Sequence, residues 1–188
     1  RFFRKKASKI IPLNAYLKLK GQKTGEIKGS VTQKGREGKI MVIAVSHEIT
    51  SPRDAASGLP TGKRQHKPFV ITKELDMSSP LLYNVLVNNE NITKWELQFW
   101  TPQVGGALGG GGTEVQHFTV KLTNANIANL SFRMLNNKNP DLMRYAEFEE
   151  VAFTYQKIEW VWVKGGITAM DDWEAPLAGR SSGERATT

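Results

Sequence analysis

Through most of this chain apolar residues recur at every second position, which is the period of a strand with one buried face. Leu17 and Leu19 alternate with Lys18 and Lys20, and Trp95, Leu97 and Phe99 alternate with Lys94, Glu96 and Gln98. Phe118, Val120 and Leu122 alternate with Thr119 and Lys121. Residues 40–45 form a short, nearly continuous apolar run instead, as expected of a strand covered on both faces.

The last long strand region breaks its own rhythm. Val151, Phe153 and Tyr155 share one parity, while Ile158, Trp160 and Trp162 share the other. One straight strand cannot bring both sets to the same face, because its side-chain period is two. A bulge or sharp bend near Gln156 and Lys157 restores a common face. Alternatively both faces are apolar because a neighbouring subunit covers the second. The alternating Val161 and Val163 favour that version at the strand's end.

One helix is clear. Ser79 suits an N-cap and Pro80 the first helical position, where a missing N–H costs nothing. Leu81, Leu82, Val85 and Leu86 then share a face, and Asn88 and Asn89 end the run. A second helical turn is expected at 140–145, capped by Asn139. The predicted fold is mainly β: a small antiparallel β-barrel of two packed sheets, or a sandwich, with one short lateral helix. Long loops fall at 46–66 and 101–113, a length that in compact domains is usually functional or disordered. The glycine run at 105–112 should behave as a flexible coil, and residues 175–188 as a flexible tail.

The net charge of +8 raises the question of nucleic acid, but Arg1, Arg4, Lys5, Lys6 and Lys9 supply five of those charges on a patternless segment, 1–11. A phosphate-binding footprint clusters on one element of the fold. No cysteine is present, so disulfides, thiol nucleophiles and cysteine-ligated zinc are excluded. No apolar run reaches the roughly 18 residues of a membrane-spanning helix. No signal peptide is expected either, since Lys9, Pro12 and Asn14 interrupt the apolar stretch near the start.

Site chemistry is sparse. His47, His66 and His117 lack metal-ligand spacing and read as structural or surface histidines. No Ser lies in a Gly-x-Ser-x-Gly elbow, and the glycine run lacks the Gly-Lys-Ser/Thr end of a phosphate loop. Glu149 with Glu150, and Asp171 with Asp172, point to opposite faces as strand neighbours and read as solvated strand ends. Trp95, Trp160 and Trp162 occupy core parity, whereas Trp100 and Trp173 suit a core or a subunit interface equally well. Catalytic, cofactor and metal residues are accordingly expected to be none.

The order of landmarks resembles the hemolysin-coregulated protein (Hcp) family, the tube proteins of type VI secretion systems. PLNAYLKL at 12–19 resembles the family's first strand, and IKGSV at 27–31 with REGKI at 36–40 the approach to the second. The most specific stretch is TGKRQHKPFVITKELD at 61–76, followed by SSPLLY at 78–83. YQKIEW at 155–160 and DDW at 171–173 are similar to the closing strand and C-terminal signature. The likeness covers about residues 12–174, with 1–11, the glycine run and the tail after Pro176 departing from the pattern.

The resemblance implies a tail-tube-like subunit that forms homohexameric rings. Such rings stack into a hollow tube with a VgrG-type spike at its tip and a contractile sheath outside, and can carry secreted effectors in the lumen. It implies assembly in the bacterial cytoplasm, then export, with no enzymatic activity, cofactor, nucleic acid or membrane insertion. The family's extended loop maps to residues 48–64, making Glu48, Thr50, Ser51, Arg53, Asp54 and Ser57 the ring-stacking candidates. Trp100, Val161, Val163 and Trp173 are the subunit-interface candidates. A single-stranded nucleic-acid-binding β-barrel is the alternative, suggested by pI ≈ 9.7 and aromatics interleaved with Lys. A fused toxin is a third reading, disfavoured because the tail after residue 174 is too short to fold alone.

Overall fold

The computed structural model describes residues 14–102 and 114–173. The expectations for 1–11, 105–112 and 175–188 lie outside the described residues. In chain order the described strands are β1 (Ala15–Gly21), β2 (Gly25–Ile27), β3 (Ile40–Val42), β4 (Ala44–Ser46), β5 (Ile49–Thr50), β6 (Gln65–His66) and β7 (Phe69–Glu74). Helix α1 (Ser79–Val87) follows, then β8 (Ile92–Pro102), β9 (Glu114–Thr123), β10 (Asn126–Arg133), β11 (Phe148–Thr154), β12 (Lys157–Trp162) and β13 (Ile167–Asp172). The larger sheet runs β13–β12–β9–β8–β1–β2 with β3 also on β1, and the smaller runs β10–β11–β7–β4. A separate ribbon pairs β5 with β6.

The two sheets share backbone at two corners. β9 continues into β10 through Asn124 and Ala125, and β11 continues into β12 through Tyr155 and Gln156. Their pairings, β9 with β12 and β10 with β11, make this one antiparallel ribbon bent from the larger sheet into the smaller. Asn124 takes a left-handed φ of 49°, Gln156 N donates to Thr123 O (3.1 Å), and Asn124 Nδ2 donates to Gln156 Oε1 (2.6 Å). At the second corner Ile43 joins β3 to β4 and donates its N–H to Thr72 O (2.8 Å). The result is two packed antiparallel sheets with one helix, without a hydrogen-bond ladder closed all the way round among the described residues.

The bend explains the parity change. Val151, Phe153 and Tyr155 are buried before it and Ile158 after it, all in one core. Trp95 binds the layers together: its ring stands edge-on to Phe69 and Phe153 of the smaller sheet, at 5.0 and 5.5 Å. Leu17, Leu19, Leu97, Val120 and Leu122 complete the larger sheet's inner face, as their alternation predicts. Two core assignments need correction. Trp162 is 46% exposed, because the core on β12 ends with Ile158 and the partly buried Trp160. Ile43 and Val45 are exposed, because residues 40–45 cross between layers instead of running through the middle of one.

Helix α1 buries Leu82 and Val85 and packs Leu81 and Leu86 against the core. Its N-cap is Ser78, one residue earlier than expected, and Asn89 closes the far end with φ 48°. The freed Ser79 hydroxyl donates to Glu149 Oε1 (2.8 Å). Glu149 is therefore no solvated strand end: it is fully buried against Lys73. The turn after Asn139 forms, with Leu142 N and Met143 N on Asn139 O (both 3.0 Å), but no further helix propagates from it.

Candidate assembly interface

The long loop at 46–66 is a hairpin. Ile49 pairs with His66 and Thr50 with Gln65, and an isolated bridge joins Arg53 to Pro60. Asp54 N donates to Leu59 O and Gly58 N to Asp54 O, each at 2.9 Å, with Gly58 at φ 69° where a side chain would be strained. Asp54 Oδ1 accepts from Ala56 N (3.1 Å), Ser57 N (2.6 Å) and the Ser57 hydroxyl (2.8 Å). Those bonds, led by the Ser57 amide, hold the Asp54 carboxyl below its usual range. Arg53 Nη1 donates to Gly58 O (3.0 Å). Thr50 Oγ1 donates to Glu48 Oε1, which also faces Lys67 Nζ, both at 2.9 Å.

Most of the polar residues singled out for ring contacts also bond within the hairpin itself. Glu48, Thr50, Arg53, Asp54 and Ser57 brace it, and all five, like Ser51, remain exposed. What the brace presents is apolar: Leu59, flanked by Gly58 and Pro60, is 65% exposed at the tip. A lone leucine in a polar loop was the available signal for it.

The base of the hairpin is fastened to the last strand. His47 Nε2 and His66 Nδ1 lie 2.7 and 2.8 Å from one Tyr155 hydroxyl. His66 Nε2 lies 2.7 Å from Asp171 Oδ2, which also accepts from Arg64 Nε. Arg64 Nη2 and Lys63 Nζ donate to the Asp172 and Trp173 carbonyls (2.7 and 3.1 Å). The Arg64 bond first, and that from His66, hold the Asp171 carboxyl below its usual range. Asp171 therefore belongs to a network, in contrast to its reading as a solvated strand end. His117 lies apart, with its ring 5.8 Å from that of Trp162.

The four interface candidates separate. Trp100 is partly buried under the Arg36 guanidinium, 4.4 Å from the ring centre, with Tyr16 4.9 Å from the same cation. Arg36 also pairs with Glu114, so Trp100 stands inside an intrachain stack. Val161 is partly buried, whereas Val163 and Trp173 are exposed. Trp162 and Ile167, paired across β12 and β13, and Met170 on β13 are exposed as well, so apolar side chains stand on both faces of the strand that ends the larger sheet among the described residues. A second exposed set, Phe132, Met134, Met143 and Tyr145, follows β10 and the turn after it. Strand β11–β12 has β10–β9 on one side and β7 with β13 on the other, so these sets flank the bent ribbon on opposite sides.

A mainly β subunit of two packed sheets, with a projecting hairpin and apolar edges, is the class of protein this geometry defines. Comparison with known proteins gives it a family. Residues 16–162 match the family model described as type VI secretion system effector, Hcp. The chain is 37% identical over 174 residues to the "Major exported protein" of Pseudomonas aeruginosa strain PAO1, covering 88% of this chain and 98% of that one. It is similar to a crystal structure of an Hcp protein (TM-score 0.77, 31% identity, covering 87% of this chain and 99% of that one). It is also similar to the secreted protein Hcp3 from Pseudomonas aeruginosa (TM-score 0.67, 30% identity, 87% and 99% covered). The chain belongs to the Hcp family of type VI secretion systems.

Proposed function

We propose that the chain is a structural subunit of the type VI inner tube, forming hexameric rings that stack into a hollow tube and shelter effectors in the lumen. The observation that carries this reading is the placement of two unlike apolar surfaces on opposite sides of the bent ribbon. Head-to-tail contacts need two different, complementary surfaces, and they generate rings when the rotation closes. On this reading Val163 and Trp173 of one copy, with Trp162, Ile167 and Met170, meet the Phe132–Tyr145 side of the next. The braced hairpin carries the contact between rings, with Leu59 at its tip.

The domain is taken as residues 12–174. A VgrG-type spike, a contractile sheath and exported effectors are its further partners, with assembly in the cytoplasm before export. The fold contributes shape and not catalysis. On the larger sheet Lys121 already faces a counter-charge, Glu159, at 3.1 Å.

Electron microscopy and native mass spectrometry of the purified chain test the reading. Six-membered rings and tubes are the expected result. Monomers alone across a wide concentration range would overturn it.

A further inference from the structure

When both imidazoles are neutral, the chain of hydrogen bonds at the hairpin base admits one arrangement of protons. Asp171 can only accept, with Arg64 keeping it ionised, so His66 Nε2 carries a hydrogen toward it. Neutral His66 then has a bare Nδ1, which accepts the Tyr155 hydroxyl hydrogen across 2.8 Å. That hydrogen is the only one the phenol has, so its oxygen accepts from His47 Nε2 across 2.7 Å. Burial first, then the Asp171 charge, push Tyr155 ionisation far above neutral pH, so the phenol keeps its hydrogen.

We propose that His47, Tyr155, His66 and Asp171 form a proton-operated latch, pinning the 49–66 hairpin to β13 when both imidazoles are neutral and releasing it when both are protonated. Doubly protonated, the two rings aim N–H groups at one oxygen from either side, and the phenol hydrogen has lost its acceptor, His66 Nδ1. Asp171, the carboxylate in contact with His66, already serves Arg64. His47 faces the Phe69 ring at 5.0 Å. The remaining charged neighbours are committed elsewhere: Glu48 to Lys67, Lys63 to the Trp173 carbonyl, and Arg64 to Asp171 and the Asp172 carbonyl, with Asp172 itself reached by Gln156 Nε2. Burial, together with the charge of His66, disfavours the charged form of His47, in keeping with a neutral closed state.

The position of the latch gives it consequence. His47 leads into β5, His66 ends β6, and Asp171 lies on β13, so the chain joins both legs of the hairpin to the rest of the domain. The latch does not depend on ring stacking, and its readout is the hairpin itself.

Hydrogen exchange on the full chain tests it, at about pH 7.5 and about pH 5 with correction for intrinsic exchange chemistry. Hairpin amides should lose roughly tenfold or more of their protection at the lower pH, while those of β8 and β9 keep theirs. His47→Gln, which still donates to Tyr155 but cannot charge, should stay protected. Tyr155→Phe should show the weakened hairpin already at neutral pH. Nitrogen-resolved imidazole spectra at neutral pH should find hydrogen on Nε2 of His66. Hairpin protection that is indifferent to pH in the wild type overturns the latch, as does His47→Gln opening like wild type, or His66 carrying its hydrogen on Nδ1. If Tyr155→Phe does not fold, His47→Gln and the tautomer decide. A chain that never stacks can still pass these tests, so failure of the tube reading and failure of the latch are separable.

Discussion

Lys73 Nζ and Glu149 Oε1 lie 2.6 Å apart on neighbouring strands β7 and β11, and neither side chain has any exposure to solvent. The ammonium also donates to Ser79 Oγ and Glu74 O (3.0 and 2.8 Å) and faces Asp76 at 3.0 Å. One buried cation thus joins the smaller sheet to the start of α1. Lys73→Met strands the carboxylate, and loss of one partner of a buried pair costs about 3–5 kcal/mol. The double variant Lys73→Met with Glu149→Leu should recover much of that loss, as read by chemical denaturation.

A second expectation concerns Gly29. A Cβ there would lie 2.5 Å from Lys39 O and 2.6 Å from Ile40 Cα, both backbone atoms that cannot swing away. Gly29→Ala should destabilise the domain by about 1–3 kcal/mol, as overpacking does. Thermal melting checks it.

Acid sensitivity should be traceable to Glu90. Burial alone would raise its carboxyl, but the Thr24 amide and hydroxyl and the Lys23 amide outweigh this and hold it below the usual range. A depressed carboxylate stabilises the fold fully above its unfolded value and loses that contribution as pH falls through the folded one. The stability gap between wild type and Glu90→Gln should therefore be widest near neutrality and close on acidification. Denaturation midpoints across pH measure it.

If the chain stacks as proposed, Leu59→Asp at the hairpin tip should leave rings intact but shorten the tubes. Asp54→Ala should do the same indirectly, because three hydrogen bonds to its carboxylate shape the turn. Sedimentation and tube lengths by electron microscopy separate ring formation from stacking.

Much of this fold can be read from residue order because the core obeys strand periodicity. Leu17, Leu19, Trp95, Leu97, Val120 and Leu122 alternate along the chain and pack together in space. The break in parity at Gln156 likewise marks a bend that the backbone makes. Less could be read where a residue's role depends on something distant in sequence. Glu149 looks like half of a solvated acidic pair until Lys73, brought alongside by sheet pairing, gives it a buried counter-charge. Asp171 looks the same until Arg64 and His66 arrive from the hairpin base. The polar side chains of 48–57 suggest contacts with other molecules, and only the turn geometry shows that most of them, while still exposed, also bond within their own hairpin.

The bent ribbon has a mechanical consequence. Because β9–β10, β11–β12 and the 40–46 crossing each belong to both layers, a pull on one sheet reaches the other along peptide bonds. The layers cannot slide past one another as two greased plates would. A cylinder made of such subunits would resist being crushed or sheared through the wiring of each strap-like chain, even where side-chain packing yields.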